Sequence, residues 1–155
     1  MKSETAKVSL EKTYIKDLSF EVARSATPEL SVSSPKLEEE MPPQSSVEFE
    51  TKVNKLDDEN YESSISASVK ALNADGEVVY IAEVTQAGIF RKVGEIDEEI
   101  LRRIMLGDCP AILFPYLREA LDSMIVKGGF PPLLIAPLDF RASYDSLAEI
   151  NSSPE

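Results

Sequence analysis

The sequence of 155 residues predicts an α+β fold: a four-stranded antiparallel sheet with helices on one face. Three observations predict it. Four stretches ahead of Gly94 alternate apolar and polar side chains with a period of two. Beyond Gly94 the apolar residues fall three and four apart, the period of a helix. Between the third and fourth strands stands Asp75-Gly76, a strong hairpin signal.

The first strand is expected over residues 8–21. In "YIKDLSFE", a period of two sends Tyr14, Lys16, Leu18 and Phe20 to one face and Ile15, Asp17, Ser19 and Glu21 to the other. Residues 22–46 are rich in Ser, Pro and Glu, with Leu30, Val32, Leu37 and Met41 isolated among them. Such a segment buries too little to fold alone, and it reads as a long connection laid along the domain as one wall of a groove. Residues 47–53 alternate again, with Val47, Phe49 and Val53 opposite Glu48, Glu50 and Lys52. In the third strand Tyr61, Ile65 and Val69 oppose Glu62, Ser64, Ser66, Ser68 and Lys70. In the fourth, Tyr80, Ala82, Val84 and Gln86 share one face, and Val79, Ile81, Glu83, Thr85 and Ala87 the other.

A first helix carries Ile96, Ile100, Leu101, Ile104 and Met105 at helical spacing. Its acids Asp97, Glu98 and Glu99 suit the first turn, and Gly107 is the expected stop. A second helix follows, with Pro110 in its first turn, a kink or late start expected at Pro115, and Gly128-Gly129 as its end. A last short helix is expected from Asp139, with Phe140, Tyr144 and Leu147 on one side. One domain is expected over residues 8–148, with loose ends at 1–7 and 149–155.

The balance of charge is acidic: 16 basic against 28 acidic residues, a net charge of −12. Such a chain repels nucleic acid and anionic lipid and attracts basic partners. No apolar run approaches the roughly 18 residues that insert into a bilayer, and the N-terminus has no apolar core of a signal peptide. With Cys109 as the single cysteine there is no internal disulfide, and a reduced, cytoplasmic location is expected. The chain has no histidine, which removes Ser-His-Asp and Cys-His catalysis and most catalytic zinc sites. There is no phosphate-binding glycine loop. Cys109 reads as a buried small residue, and Glu38-Glu39-Glu40 as a solvated run. No catalytic residue, cofactor or bound metal is expected, and the chain does not read as an enzyme.

The second helix is apolar at Ile112, Leu113, Tyr116, Leu117, Ala120, Leu121, Met124 and Ile125. That stripe is wide for a four-stranded sheet to cover, so its other side is expected to meet another copy of the chain.

Three segments together resemble the SecB family of protein-export chaperones. They are "YIKDLSFE", "AGIF" (Ala87 to Phe90) and "CPAILFPYLREALDSMIVKGGFPPLLIAPLDF" (Cys109 to Phe140), and the likeness runs from about Tyr14 to Tyr144. The resemblance implies a cytoplasmic, ATP-independent holdase that binds unfolded preproteins and delivers them to the motor SecA. It implies a homotetramer, a dimer of dimers, with helices layered between two eight-stranded sheets. In the family, acids on the exposed sheet face dock the basic, zinc-containing C-terminal tail of SecA, the zinc being the partner's. The matching positions here are Asp17, Glu21, Ile81 and Glu83. Positions for subunit association match Ala82, Val84 and Gln86, and the helix stripe adds Leu113, Tyr116, Leu117 and Leu121. A client groove is expected between the 22–46 connection and the last helix, lined by Leu30, Met41, Phe49, Leu133, Phe140 and Tyr144. The chain departs from the family pattern in having no tryptophan near Met41 and a short C-terminal tail. Two other readings stand beside export: a SecB-like chaperone dedicated to one client such as an antitoxin, and a scaffolding domain that holds no unfolded protein.

Overall fold

A computed structural model describes residues 5–23 and 43–152, the last five by backbone alone. Leu30, Val32, Leu37, Glu38-Glu39-Glu40 and Met41 lie outside the described residues. Four strands form one antiparallel sheet: β1 (Lys7–Val22), β2 (Gln44–Lys55), β3 (Asn60–Leu72) and β4 (Val78–Val93), in the order β1-β4-β3-β2. Strands β2 to β4 form a meander, and β1 joins its far side against β4. The β3–β4 turn is held by the Asn73 side chain, which accepts from the N–H groups of Asp75 (3.0 Å) and Glu77 (2.9 Å).

The expected helix stop at Gly107 is overturned. Helix α1 (Glu98–Arg103) passes through a π segment (Ile104–Asp108) directly into α2 (Cys109–Lys127). Asp97 caps the start, accepting from the N–H groups of Glu99 (3.0 Å) and Ile100 (3.4 Å). Gly107 is buried in the π segment, and a Cβ there would meet Arg141 Cα at 3.2 Å. Its small size serves close approach of the last helix, which is why it reads falsely as a terminator. The wide π turn ends at Asp108, two residues before Pro110, which has no N–H to continue a regular ladder. Nor does α2 start late at Pro115; it runs through it.

The end of α2 is where the sequence places it. The Phe130 N–H reaches back to the Ile125 carbonyl (3.2 Å) and the Gly129 N–H to Val126 (3.0 Å), with Gly129 at φ +88°. Only glycine takes that left-handed turn without strain. Helix α3 (Phe140–Ser152) runs past the expected domain limit at 148. Asp139 accepts from the Ala142 N–H (2.9 Å) at its start. Arg103 holds α3 with two bonds to the Asp145 carboxylate (3.0 and 2.8 Å), and the Phe114 and Phe140 rings meet at 5.9 Å.

The core lies between the inner sheet face and α2. Ile65, Val69, Ala82 and Val84 from the sheet meet Leu113, Leu117, Leu121 and Ile125 from the helix. Cys109 is buried among them, and desolvation pushes its thiol up to about 12.

One strand face differs from expectation. Residues directly opposite one another in an antiparallel pair share a face. Leu18 and Phe20 oppose Val84 and Ala82 on the inner face, as expected, but Ile15 opposes buried Gln86 and so also faces inward. Tyr14 opposes Ala87 on the outer face. The cause is a bulge between Ile15 and Asp17, which reverses the alternation at Lys16.

Candidate functional site

The outer sheet face carries the acids. The registers build it in rows that cross all four strands. Asp17, Thr85, Ser66 and Glu50 form one row; Ser19, Glu83, Ser68 and Glu48 the next; Glu21, Ile81, Lys70 and Ser46 the third. The four expected docking residues, Asp17, Glu21, Ile81 and Glu83, therefore lie together on adjoining strands, with Glu21 directly opposite Ile81. All four are exposed, and Ile81 is an apolar point among the charges.

The first two rows enclose a shallow trough of about 470 Å³, lined by Asp17 and Glu83 on one side and Glu48 and Glu50 on the other. Its floor is small hydroxyls. Ser66 and Thr85 are hydrogen-bonded at 2.8 Å, and Ser68 donates to Glu83 (3.5 Å). Small side chains on β3 leave the acids of β1, β4 and β2 with one open space between them. Glu48 and Glu50 were visible in the alternation of β2 as outward residues. That they face the same trough depends on the strand order, which the sequence does not display.

Beside the trough, Glu62 accepts from Lys16 Nζ (2.7 Å), Asn54 Nδ2 (3.3 Å) and the Tyr14 hydroxyl. The bonds from Lys16 and Tyr14 hold the Glu62 carboxyl below the usual carboxylate range. Burial and the neighbouring carboxylate push Tyr14 up to about 12.

The expected groove residues are placed in part. Leu30 and Met41 are outside the described residues. Phe49 packs on Phe114 (6.1 Å between rings), and Phe114 on Phe140, so these form one aromatic chain at the rim of the core. Leu133 instead lines a separate hollow of about 240 Å³ with Pro43, Ser45, Tyr80, Pro131 and Pro132. Tyr144 is half-buried on α3.

The residues expected at a subunit interface divide. Ala82, Val84, Gln86, Leu113, Leu117 and Leu121 are buried within one chain, because the sheet already covers that side of α2. Tyr116 is 46% exposed, and Ile100, Ile112 and Val126 are exposed with it. Exposed apolar side chains thus lie on α1 and α2, and also at Leu10, Ile15 and Leu18 on the inner face of β1.

No described group of three or more His, Cys, Asp or Glu could hold a metal ion, and no described helix is long and apolar enough to cross a membrane.

Comparison with known proteins gives the chain its family. A family described as preprotein translocase subunit SecB matches residues 1–150. The protein-export protein SecB of Pseudomonas aeruginosa (strain LESB58) is 38% identical over 148 residues, covering 95% of this chain and 85% of the relative. That of Magnetococcus marinus is 34% identical over 143 residues, covering 92% and 85%. Among solved structures, the Mycobacterium tuberculosis Rv1957 SecB-like chaperone, in complex with a ChAD peptide from the Rv1956 HigA1 antitoxin, superimposes with a TM-score of 0.67. It covers 84% of this chain and 90% of its own at 20% identity, a likeness of fold. With the family matched over nearly its whole length and relatives well above 30% identity, this chain belongs to the SecB family.

Proposed function

We propose that this chain is a protein-export chaperone that binds non-native preproteins without ATP and presents them to SecA through its acidic sheet face. The observation that carries the reading is the exposed group Asp17, Glu21, Glu83 and Ile81 on one face of a SecB-family chain. Relatives at 34–38% identity carry the export name, whereas the antitoxin-bound protein shares the fold at 20%, so export is favoured over a single dedicated client.

A holdase must accept sequences it has never met. Apolar surface does this well, because buried hydrogen-bonding groups penalise every mismatched partner. Half-buried Phe49 and Phe140 at the rim of the core, with the Leu133 hollow, are the candidates for that surface among the described residues. Binding the unfolded client opposes its folding by mass action, with no catalytic step and no cofactor. The net charge of −12 keeps such surface in solution. Assembly as a dimer of dimers joins several grooves and raises avidity, with Tyr116 and its exposed neighbours meeting another copy. A reduced cytoplasm suits the buried thiol of Cys109.

Exposed charge pairs contribute about 0–1 kcal/mol each, so the SecA tail must meet several acids together with Ile81. Asp17→Lys combined with Glu83→Lys is expected to abolish binding of the zinc-loaded SecA tail peptide in a calorimetric titration. Suppression of light scattering by an aggregating preprotein should be unchanged. Undiminished peptide affinity would remove these residues from the docking face, and no suppression by the unmodified chain would remove the holdase reading.

A further inference from the structure

Strand β1 carries two bulges, one between Leu10 and Lys12 and one between Ile15 and Asp17. Together they reverse a short cassette. Leu10 faces inward opposite Phe90, and Leu18 faces inward opposite Val84, which an unbroken alternation would also give. Between them Thr13 and Ile15 face inward, where regular pairing would put Lys12, Tyr14 and Lys16. The reversal has a use on each face. Inside, Thr13 accepts from the Nε2 of buried Gln86 (2.8 Å) and donates to the Ala87 carbonyl (3.1 Å). Outside, Tyr14 lies opposite Ala87, and its hydroxyl passes over that small residue to Glu62 on β3. Lys16, the extra residue of the second bulge, donates to the same carboxylate at 2.7 Å, and Asn54 joins it from β2. The Lys12 ammonium lies 5.5 Å from the Tyr14 ring centre.

A bulge leaves one residue out of the ladder, so something must hold it in place. Immediately after Lys16, the next residue in register is Asp17, opposite Thr85 at the edge of the acidic trough. We propose that Tyr14, Lys16 and Glu62 form a clasp whose role is positioning: it holds the Lys16 bulge and thereby the place of Asp17 on the docking face. This rests on the docking reading above. The three residues do not themselves touch the trough. Glu62 is an acid on the outer face that serves its neighbours, its carboxylate being shared among three donors.

The test uses the full-length chain with Tyr14→Phe, Glu62→Ala and Glu62→Gln. Cross-strand backbone contacts and amide exchange report the register of residues 12–17, and titration with the zinc-loaded SecA tail peptide reports docking. Tyr14→Phe and Glu62→Ala are expected to speed exchange at residues 12–17, to blur the Asp17–Thr85 contact, and to weaken the peptide roughly fivefold, the size of one exposed ion pair. Glu62→Gln keeps one acceptor oxygen in place of two, so it can hold Tyr14 or Lys16 but not both, and its affinity should fall between those of the unmodified chain and Glu62→Ala. If Glu62 acted only through its charge, Glu62→Gln would be as weak as Glu62→Ala and Tyr14→Phe would be silent; that pattern overturns the clasp. An unchanged register in both Tyr14→Phe and Glu62→Ala overturns it too. Failure of the unmodified chain to bind the peptide would instead sink the docking reading, and the exchange data would still decide whether the clasp holds the bulge.

Discussion

A Cβ on Gly128 would lie 2.3 Å from the ring of Phe20, a contact no packing tolerates. The missing carbon lets the β1 aromatic sit against the end of α2, beside Tyr80 (5.4 Å between rings) and Phe130 (6.5 Å). Gly128 has φ −76°, which alanine adopts freely. Chain entropy alone would therefore make Gly128→Ala stabilising by about 0.4–1 kcal/mol. Sterics are expected to win, with a loss of about 1–3 kcal/mol in urea unfolding; a gain would show that Phe20 yields easily. Glu62 carries a different prediction. Its folded-state pKa is lowered by Lys16 and Tyr14 from an ordinary 4.5. Its contribution is thus full above pH 4.5 and is lost as the pH falls through the lowered value. Stability of the wild type should fall more steeply below that pH than stability of Glu62→Gln, and parallel curves would mean the bonds to Glu62 do no such service.

At the scale of elements, the long helix and the last helix divide the labour. Helix α2 belongs to the core, with Leu113, Leu117, Leu121 and Ile125 fully covered. Helix α3 rests on its rim through Phe140, the Arg103–Asp145 pair and close approach at Gly107. Elements with few buried apolar groups open first. Phe140→Ala, removing a half-buried ring, should cost about 1–2 kcal/mol. It should speed amide exchange in α3 while leaving β3 and β4 protected; equal acceleration everywhere would make α3 part of one cooperative unit. The helical period announced both α1 and α2, but Gly107 reads as a terminator in sequence and is a spacer in the fold. A glycine required for φ above zero and one required for close approach look the same until the neighbour, here Arg141, is known.

For the whole molecule, the acidic docking face and the proposed client surface lie apart. Asp17, Glu48, Glu50 and Glu83 line a trough on the outer sheet face, whereas the Phe49 and Phe140 rings pack on Phe114 at the rim of the core. The two kinds of binding should therefore respond differently to salt. Raising ionic strength from about 0.05 to 0.5 M shortens screening lengths well below 10 Å. SecA-tail affinity should drop severalfold while suppression of preprotein aggregation holds; equal loss of both would tie them to one surface. If the exposed helix side meets another copy, sedimentation should give four times the chain's 17.1 kDa, and Tyr116→Asp should lower that mass. A wild-type monomer would remove the assembly from the mechanism.

The sequence alone determined the class of fold and the outward placing of Asp17, Glu21, Ile81 and Glu83 on their own strands, because alternation and helical spacing are local and survive without knowledge of neighbours; their grouping as a docking set came from the family resemblance. The helix end at Gly128-Gly129 was legible for the same reason. The tertiary structure alone decided the strand order that brings Glu48 and Glu50 to the trough. It alone decided the paired bulges that turn Tyr14 outward and Ile15 inward, and the intrachain burial of Ala82, Val84 and Gln86. Those outcomes depend on which strand lies beside which, and on side chains such as Glu62 that bind a residue nearly fifty positions away. A period of two specifies two faces, but only the partner strands specify where an extra residue reverses them.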